Sequence, residues 1–540
     1  MTPPRQGCDD AGRAPRSAPA NPPVDAPPGV RQSGRRRSGG RQSRVARRSE
    51  EAPRAPAQIR RRVPCYELLD EQALQALEEQ ADWLLAEIGV EFPDDAESRE
   101  LLRAAGASVS GSRVRFPPGL AKSLCASAPR EFEMRARDYR YNIRIGGDNV
   151  VFAPSYGPPF VTDLEGGRRY ATLGDFENIV KLSYAAPQLQ HSGGTVCEPV
   201  DIPVNKRHLD MVYAHLRYST KPFMGSVTAP QRAEDSIEMA RIVFGDAWME
   251  RHCVIMGNVN VNSPLTFDGV MTGALKAYAR ANQGILLSPF ILGGAMGPVT
   301  QPALIAQAHA EALVGIALSQ LVRPGAPVIY GCFLSTVDLK SGAPTFGTAE
   351  ANLAILAIGQ LCRRLGLPLR CGGQMTAAKC ADGQAMQESA DGMLAGLQAG
   401  ANFVLHAAGW LEGGLSFGYE KFAIDLDHCA LLQRQLGGLQ IDANGLGREA
   451  YREAGPGQSF FGVAHTLANF EDANLRSALA DNDSFEQWQA GGSETIERRA
   501  SRRWKQMLAD YQPPPMDPAI DEALRDFIAR RKAAEPDCWY

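Results

Sequence analysis

The chain has 540 residues, of which 44% are hydrophobic, 22% charged and 7% aromatic, with a formal net charge of -4. This is the composition of an ordinary folded protein, and it excludes collagen-like, wholly disordered and small disulfide-stapled proteins. No run of about 18 uninterrupted apolar residues occurs, so the sequence predicts no membrane span and no membrane partner.

The first 62 residues differ from the rest of the chain. They carry 15 Arg, no Lys and 5 acidic residues, a net of +10, which leaves -14 for the remainder. Ten prolines and few large apolar side chains predict a disordered tail, because such a segment buries too little surface to offset its ordering entropy. An arginine-rich arm can bind nucleic acid. A solvated tail or a wrongly assigned start codon is the interpretation we favour, and we expect no nucleic-acid partner.

The segment after the tail predicts helices followed by strands. Residues 66–88 repeat apolar side chains at helical spacing and end at Gly89, and residues 95–105 form a second short helical pattern. Between residues 107 and 153 the apolar period changes to two, as in VSGSRVRF and EFEMRARD. We interpret this stretch as a small antiparallel sheet.

From about residue 190 short apolar runs alternate with long helical patterns. The predicted strands lie at 188–196, 221–228, 252–260, 284–294, 326–333, 367–373 and 401–409. Helical patterns such as 301–322 and 349–365 separate them, which indicates a parallel sheet covered on both faces. Seven or eight such units over about 250 residues favour a (β/α)8 TIM barrel over an open sheet. The predicted fold is therefore an α/β protein, a (β/α)8 TIM barrel with N-terminal helices and a small antiparallel sheet.

The predicted domain boundaries follow these changes of pattern. A tail covers residues 1–62, N-terminal helices and antiparallel strands cover 63–185, the barrel covers 186–512, and a C-terminal helix and tail cover 513–540. The 11 cysteines are odd in number, widely spaced and without a CxxC, which favours a reducing, cytoplasmic location. The eight histidines give no HExxH or HxH, so we expect no metal site. No P-loop or GxGxxG motif supports nucleotide binding.

Function in a barrel of this kind is built from the loops that follow the strands. The residues within a loop's reach of a strand end are Glu198, Asn258, Asn260, Asn262, Phe290, Tyr330, Phe333, Gln374, Thr376, Gln384, Glu388, His406, Trp410 and Glu412. Aromatic faces with a few amides and carboxylates are typical of a pocket for a small cation. Each residue also has a plainer interpretation: Tyr330, Trp410 and His406 as core side chains, and Glu412 as an acceptor of backbone amides.

Several long stretches resemble the trimethylamine methyltransferase superfamily of corrinoid-dependent methyltransferases. The stretches are residues 84–129, 293–331, 338–353, 371–389, 410–427, 459–467 and 484–500, of which 293–331 (GGAMGPVTQPALIAQAHAEALVGIALSQLVRPGAPVIYG) is the most specific. The resemblance covers the chain from about Tyr66 to its end. Within the superfamily the chain resembles the members without pyrrolysine, such as glycine betaine methyltransferases.

The resemblance implies transfer of a methyl group from a methylated amine to the Co(I) of a corrinoid. The corrinoid (cobalamin) belongs to a separate partner protein that docks over the barrel mouth, near Phe333, Trp410 and Phe417, and the enzyme binds no cofactor itself. Homo-oligomers are plausible because the N-terminal elements could pack between subunits. The site residues we predict are Gln374, Glu388 and His406 as catalytic residues, and Tyr330, Phe333, Gln384, Trp410 and Glu412 as substrate-binding residues.

The chain departs from the trimethylamine enzymes at their pyrrolysine motif. The stretch 372–376 holds only standard residues, and Ala377 and Ala378 stand where polar residues are expected. This shifts the expected substrate from trimethylamine to a quaternary amine such as glycine betaine, proline betaine, carnitine or choline. If that substrate carries a carboxylate, Arg370, Lys379 or a cluster of backbone amides could hold it.

Two other classes of function stay open at this point. One is a lyase or hydrolase on the same barrel that uses Glu388, Glu412 and His406 as acid and base, because a fold does not fix its chemistry. The other is a betaine-binding protein without catalysis.

Overall fold

The computed structural model describes residues 56–539. The predicted tail therefore lies outside the described residues except for residues 56–62, and so does Cys8. The described residues form a mixed α/β fold.

Nineteen strands are assigned within residues 56–539. In chain order they are β1 (Ile59–Arg60), β2 (Val90–Glu91), β3 (Ser108–Ser110), β4 (Arg113–Arg115), β5 (Glu131–Met134), β6 (Ile143–Gly146), β7 (Asn149–Phe152), β8 (Phe160–Asp163), β9 (Gly167–Tyr170), β10 (Phe223–Gly225), β11 (Ile255–Val261), β12 (Gly284–Gly293), β13 (Val328–Gly331), β14 (Phe333–Val337), β15 (Pro344–Thr345), β16 (Leu369–Arg370), β17 (Phe403–Val404), β18 (Trp410–Leu411) and β19 (Ser416–Gly418).

The α-helices of the same range follow the strands in alternation over the central part of the chain. They are α1 (Glu71–Trp83), α2 (Ala96–Ala104), α3 (Leu120–Leu124), α4 (Leu173–Ala185), α5 (Arg207–Tyr218), α6 (Pro230–Phe244), α7 (Asp246–Met249), α8 (Gly269–Arg280), α9 (Gln301–Val322), α10 (Ala349–Leu365), α11 (Gly383–Gln398), α12 (Tyr419–Leu436), α13 (Ala443–Leu446), α14 (Arg448–Ala454), α15 (Ala464–Asn469), α16 (Phe485–Ala490), α17 (Ile496–Ala509) and α18 (Pro518–Ala533).

The main sheet contains seven parallel strands in a row. Their order is β10-β11-β12-β13-β16-β17-β7. Long helices connect several of them, which is the arrangement that parallel neighbours require. Beyond β7 the sheet continues antiparallel through β6 and β5. The predicted alternation of strand and helix is confirmed for this part of the chain.

Residues 190–193 lie between the two ends of this parallel row, although no strand is assigned to them. The amides of Gln190 and His191 donate to the carbonyl of Phe152 in β7, at 3.1 and 3.3 Å. On the other side, the Ser192 amide donates to the Pro222 carbonyl, and the Met224 amide of β10 donates to the Gly193 carbonyl, both at 2.8 Å. One short segment is therefore hydrogen-bonded to the strands at both ends of the row.

The N-terminal elements agree with the sequence in part. Helix α1 continues into a π-helical turn (Leu84–Ile88) that ends at Gly89, and α2 matches the second predicted helix. Strands β2, β4 and β3 form a separate antiparallel sheet. Strands β5, β6 and β7 pair antiparallel as predicted. The prediction that all strands over 107–153 form one small sheet is wrong, because β7 also pairs in parallel with β17 and so joins the main sheet. All four residues of β7 are buried, as is usual for a strand covered on both faces.

Helix α9 is the one helix among the described residues whose length and apolar composition would allow it to cross a membrane. It is 22 residues long, and 89% of its apolar window is buried against the rest of the protein. Burial of this kind is typical of the core helix of a folded domain, which passes the same test of length and composition.

Candidate active site

Alternate side chains of the parallel strands meet in one apolar cluster. Six strands contribute one residue each: Val151, Met224, Met256, Leu286, Ile329 and Phe403. Because side chains alternate along a strand, residues two or four positions further on lie on the same face, nearer the strand's carboxyl end. On β12 these are Ser288 and Phe290, which lead from the apolar cluster to the candidate site.

Arg370, at the end of β16, lies beside Ser288 and is 2% exposed. Its Nη1 donates to the Ser288 hydroxyl at 3.1 Å and to the Cys332 carbonyl at 3.0 Å. The buried Nε has no hydrogen-bond partner among the described residues. Burial lowers the pKa of Arg370 to about 10, which still leaves the guanidinium protonated at neutral pH.

Five rings lie together beyond Arg370, and we call them the aromatic cluster: Phe290, Phe333, Phe346, His406 and Trp410. The centroid of Phe333 lies 4.9 Å from Phe290, 6.0 Å from Phe346, 5.9 Å from His406 and 6.0 Å from Trp410. Trp410 lies 4.2 Å from His406 and 5.7 Å from Phe346. Ring faces attract cations, most strongly in a desolvated site. The cluster therefore has the chemistry of a site for an organic cation.

His406 reaches the cluster from a backbone turn with a φ of 65°. Its Nδ1 accepts the Tyr156 amide at 3.2 Å. Burial, and then the nearby charge of Arg370, lower the pKa of His406 well below its ordinary value. The imidazole is therefore neutral at physiological pH, with its proton on Nε2 while Nδ1 accepts.

Several buried polar atoms at this end of the strands have no hydrogen-bond partner within residues 56–539. Besides Arg370 Nε they include Trp410 Nε1 and Asn258 Oδ1. Asn258 lies on β11, in register with Leu286 of β12. Buried polar groups without partners are uncommon in folded proteins and cost stability. Two of these atoms, Arg370 Nε and Trp410 Nε1, lie in or beside the aromatic cluster, where a polar ligand can supply the missing partner.

Three of the predicted site residues meet in the cluster, namely Phe333, His406 and Trp410. Tyr330 does not: it is fully buried on the opposite face of β13, where its hydroxyl lies 3.0 Å from His309 Nδ1 of α9. The structure therefore places Tyr330 in the core between the sheet and the helices, away from the site.

Glu388 and Gln384 lie on α11 behind the loop that follows β16. Glu388 Oε2 accepts the Thr376 hydroxyl at 2.6 Å and the Ala377 amide at 2.8 Å, and its Oε1 accepts Gln384 Nε2 at 2.8 Å. Gln384 is exposed. This pair fixes the loop that carries Met375 and Ala377, both of which pack against the aromatic cluster. The structure supports a positioning role for Glu388 and Gln384.

Gln374 points away from the cluster toward α12, and we call its surroundings the Gln374 network. Its Nε2 donates to the carbonyls of Ala407 at 2.7 Å and Asp425 at 2.9 Å, and its Oε1 lies 2.8 Å from His428 Nδ1. Fully buried Lys421 and Asp425 form an ion pair beside it, and Asp425 accepts the Gly409 amide at 2.9 Å. The Gln374 amide is thus fully engaged in holding the loops together.

Glu412 lies at the edge of the site in a left-handed backbone conformation, with a φ of 54°. Its Oε2 accepts from Arg168 at 2.7 Å and from the Ser416 hydroxyl at 2.9 Å. Burial opposes ionisation, but these two donors outweigh it and hold the pKa of Glu412 below its ordinary value. The carboxylate is already neutralised by Arg168, so it is a poor counter-charge for a ligand.

These partners bear on the acid-base alternative. The carboxylate oxygens of Glu388 are occupied by three donors, Glu412 is paired with Arg168, and His406 is neutral with its acceptor nitrogen in use. None of the three is poised to take a proton from a ligand. The geometry favours holding and desolvating a cation over acid-base chemistry.

Phe346 is the cluster residue that the sequence reasoning missed. It lies in the loop between β15 and α10, within the stretch APTFGTAEANL, and it is 4% exposed. An apolar residue in an otherwise small and polar loop is the signal that could have identified it. Phe417, predicted at an exposed docking face with Phe333 and Trp410, is fully buried, and those two rings are nearly so. The prediction that these three rings form an exposed face is wrong, because Phe333 and Trp410 pack in the aromatic cluster and Phe417 packs against two rings of α12.

Comparison with known proteins places these features in a family. The model of the trimethylamine methyltransferase (MTTB) family matches residues 37–536. A glycine betaine methyltransferase from Desulfitobacterium hafniense (strain Y51) is 40% identical over 471 residues, which cover 87% of this chain and 98% of that protein.

More distant relatives carry the name trimethylamine methyltransferase. MttB of Desulfitobacterium hafniense (strain DSM 10664 / DCB-2) is 26% identical over 81% of this chain and 88% of its own. MttB2 of Methanosarcina mazei is 25% identical over 82% and 90%. Among solved structures, the monomethylamine methyltransferase MtmB of Methanosarcina barkeri is similar at 12% identity and a TM-score of 0.45, over 84% of this chain and 96% of that one.

Proposed function

The chain belongs to the trimethylamine methyltransferase family, and we propose that it moves a methyl group from a quaternary amine, such as glycine betaine, to the Co(I) of a corrinoid carried by a separate protein. The observation that carries this proposal is the aromatic cluster, in which Phe333, Phe346, His406 and Trp410 are buried and which suits a trimethylammonium group.

The physical chemistry of the transfer matches the residues at the site. The corrinoid supplies the nucleophile that takes the methyl group. When a quaternary amine loses a methyl group, its nitrogen becomes that of an uncharged tertiary amine, so the reaction needs no proton from the protein. The aromatic cluster then has two tasks, to orient the methyl group and to exclude water from the cation. Full engagement of Glu388 and Glu412 by other donors is consistent with a reaction that uses no acid or base.

We also propose that the main sheet is a (β/α)8 barrel in which residues 190–193 are the eighth strand. The support is the hydrogen bonding of this segment to β7 on one side and to β10 on the other. In such a barrel the aromatic cluster would lie at the carboxyl ends of the strands, where active sites of this fold are found.

The docking face for the corrinoid protein is proposed to lie on loops beside the cluster rather than on the buried rings. Leu339, 80% exposed, follows β14, and Val299, 61% exposed, follows β12. A Cβ placed on Gly294 would lie 3.8 Å from the Leu339 side chain and 4.0 Å from that of Val299, so the two are near neighbours. We further propose a cytoplasmic location, where the corrinoid protein and its reductants would be available.

The test mixes the purified protein with a Co(I) corrinoid, free or protein-bound, and with glycine betaine, proline betaine, carnitine, choline or trimethylamine. Loss of the Co(I) absorption and growth of methyl-Co(III) with a quaternary amine, but not with trimethylamine, is the expected result. Leu339→Glu should slow transfer to the protein-bound corrinoid and leave transfer to free corrinoid unchanged. Tight amine binding without any conversion, using a competent corrinoid protein, would instead establish a binding protein.

A further inference from the structure

Arg370 is distinguished among the buried cations by how little its charge is compensated. The other cationic side chains buried within residues 56–539 are Arg61, Lys221, Lys276 and Lys421. Lys276 and Lys421 each form an ion pair with a buried carboxylate. Lys221 donates to two carbonyls, those of Ser183 and Ala186 at the carboxyl end of α4, where the helix dipole favours a cation.

Arg61 likewise uses two guanidinium nitrogens on two main-chain carbonyls, those of Ala401 and Gly147. Arg370 uses only Nη1, on one carbonyl and one hydroxyl, and no carboxylate lies within ion-pair distance among the described residues. Its Nε is buried and unpartnered. A buried charge without an opposite charge is costly, and a carboxylate accepting from two guanidinium nitrogens is its best complement.

The position of Arg370 indicates what kind of ligand would supply its missing carboxylate partner. Its guanidinium carbon lies 5.3 Å from the centroid of Phe333, a central ring of the aromatic cluster. A cation held against that ring would be repelled by Arg370 unless the same molecule also carried a negative charge. The site therefore suits a zwitterion whose negative end contacts Arg370 and whose positive end contacts the aromatic cluster.

We propose that Arg370 anchors the carboxylate of a betaine whose quaternary ammonium group lies in the aromatic cluster. This inference rests on the proposed function and narrows it to amines that carry a carboxylate, such as glycine betaine, and away from choline. It also selects Arg370 from the three carboxylate anchors that the sequence left open. Lys379 is exposed, and its Nζ donates to the Ala377 carbonyl at 2.9 Å.

The anchor also sets the direction of the bound molecule. Arg370 contacts Ser288, while Phe290 of the aromatic cluster lies two residues further along the same strand, about 6.6 Å away at the usual rise of a parallel strand. The carboxylate end is therefore the deeper end, and the methyl groups face the carboxyl ends of the strands. In-line transfer requires a methyl group to face the approaching nucleophile, so one ion pair would supply both affinity and orientation.

The experiment compares glycine betaine with its methyl ester, in which a methyl group on the carboxylate removes the negative charge and the quaternary ammonium is unchanged. Binding is measured by calorimetry without any corrinoid, for the wild type, Arg370→Gln and Lys379→Met. We expect the wild type and Lys379→Met to bind glycine betaine at least 50-fold more tightly than the ester. In Arg370→Gln this preference should fall below fivefold, with binding of the ester retained or improved.

Retained ester binding shows that the variant is folded and that its aromatic cluster is intact, which a general structural defect would not allow. If Arg370→Gln kept the full preference for the carboxylate, or if Lys379→Met lost it, the anchor would be assigned wrongly. The proposed function can fail separately from this inference. Binding that depends on Arg370, together with no methyl transfer to Co(I), would contradict the methyltransferase proposal and still support Arg370 as the carboxylate anchor.

Discussion

Two regions of the molecule are built from the same loops and treat their polar groups in opposite ways. In the Gln374 network, the Gln374 amide and the Lys421–Asp425 pair all have partners at hydrogen-bond distance. In and beside the aromatic cluster, Arg370 Nε and Trp410 Nε1 are buried and have none within the described residues. Gln374 lies only four positions after Arg370 in the sequence, and Trp410 directly follows Gly409.

This contrast shows how residues of similar type divide between scaffold and site. A polar group whose hydrogen bonds are complete contributes to stability and has nothing left to offer a ligand. A buried donor or acceptor without a hydrogen-bond partner lowers stability, and a bound ligand can offset this loss by supplying the missing partner. The predictions below test this division, from the largest expected effect to the smallest.

The scaffold region should be the more sensitive to substitution. Asp425→Ala leaves the Lys421 ammonium fully buried without its carboxylate and removes the acceptor of the Gly409 amide. We expect the free energy of unfolding to fall by about 3–5 kcal/mol, as for other broken buried pairs. Urea denaturation followed by tryptophan fluorescence measures this. The free energy of unfolding should fall less in the double variant Lys421→Met with Asp425→Leu. An Asp425→Ala protein as stable as the wild type would show that this pair does not stabilise the scaffold.

Within the site, Trp410→Phe tests the aromatic cluster. Phenylalanine keeps an apolar ring but has a weaker negative face than tryptophan, so affinity for a quaternary amine should fall by about 1 kcal/mol, roughly fivefold. Calorimetry with glycine betaine measures the loss. Trp248→Phe, at a ring that is 41% exposed on the short helix α7, is the matched substitution that should leave the affinity unchanged. Equal losses in both variants would show that the effect is not local.

Arg370→Met should have little effect on stability, in contrast to Asp425→Ala. The substitution loses two hydrogen bonds but also removes a buried charge that has no ion-pair partner. We expect the free energy of unfolding of the unliganded protein to change by less than about 1 kcal/mol in either direction. The same denaturation experiment checks this. A loss of several kcal/mol would mean that Arg370 belongs to the scaffold.

Ligand affinity should be almost independent of pH between 6 and 8.5. Burial keeps His406 neutral by lowering its pKa well below the ordinary value, so no proton is taken up in this range. The pKa of Arg370, at about 10, is above the range, so its charge is retained. Calorimetry with glycine betaine at four pH values should give dissociation constants within twofold. A transition centred near 6.5 would show that His406 titrates as an ordinary imidazole.

The sequence predicted much of the fold because the apolar pattern of long elements leaves few alternatives. Helices α9 and α10 begin and end at the predicted residues, 301–322 and 349–365. Strand β7 was assigned to the wrong sheet, because a short and mostly apolar run does not reveal which neighbour it pairs with. Residues 190–193 were predicted as a strand, and their hydrogen bonds reach both neighbours although no strand is assigned there.

The candidate site was predicted in part, and the misses have a common cause. Phe333, His406 and Trp410 were identified from their place after a strand, and they do meet. Tyr330 was selected on the same ground, but both faces of β13 are apolar, so the sequence does not tell which face is turned to the helices. Gln374 is polar and follows a strand, yet its amide is directed to α12.

The sequence by itself determined the family, the alternation of strands and helices, and the loops in which the candidate site lies, because these depend on residue type and spacing along the chain. Only the tertiary structure decided which polar groups in those loops have all their hydrogen-bond partners and which lack one. That distinction depends on partners far apart in sequence, such as Ser288 and Cys332 for Arg370, or Gly409 and Lys421 for Asp425. Folding brings these partners together, and the buried donors that it leaves without partners indicate where the candidate site lies.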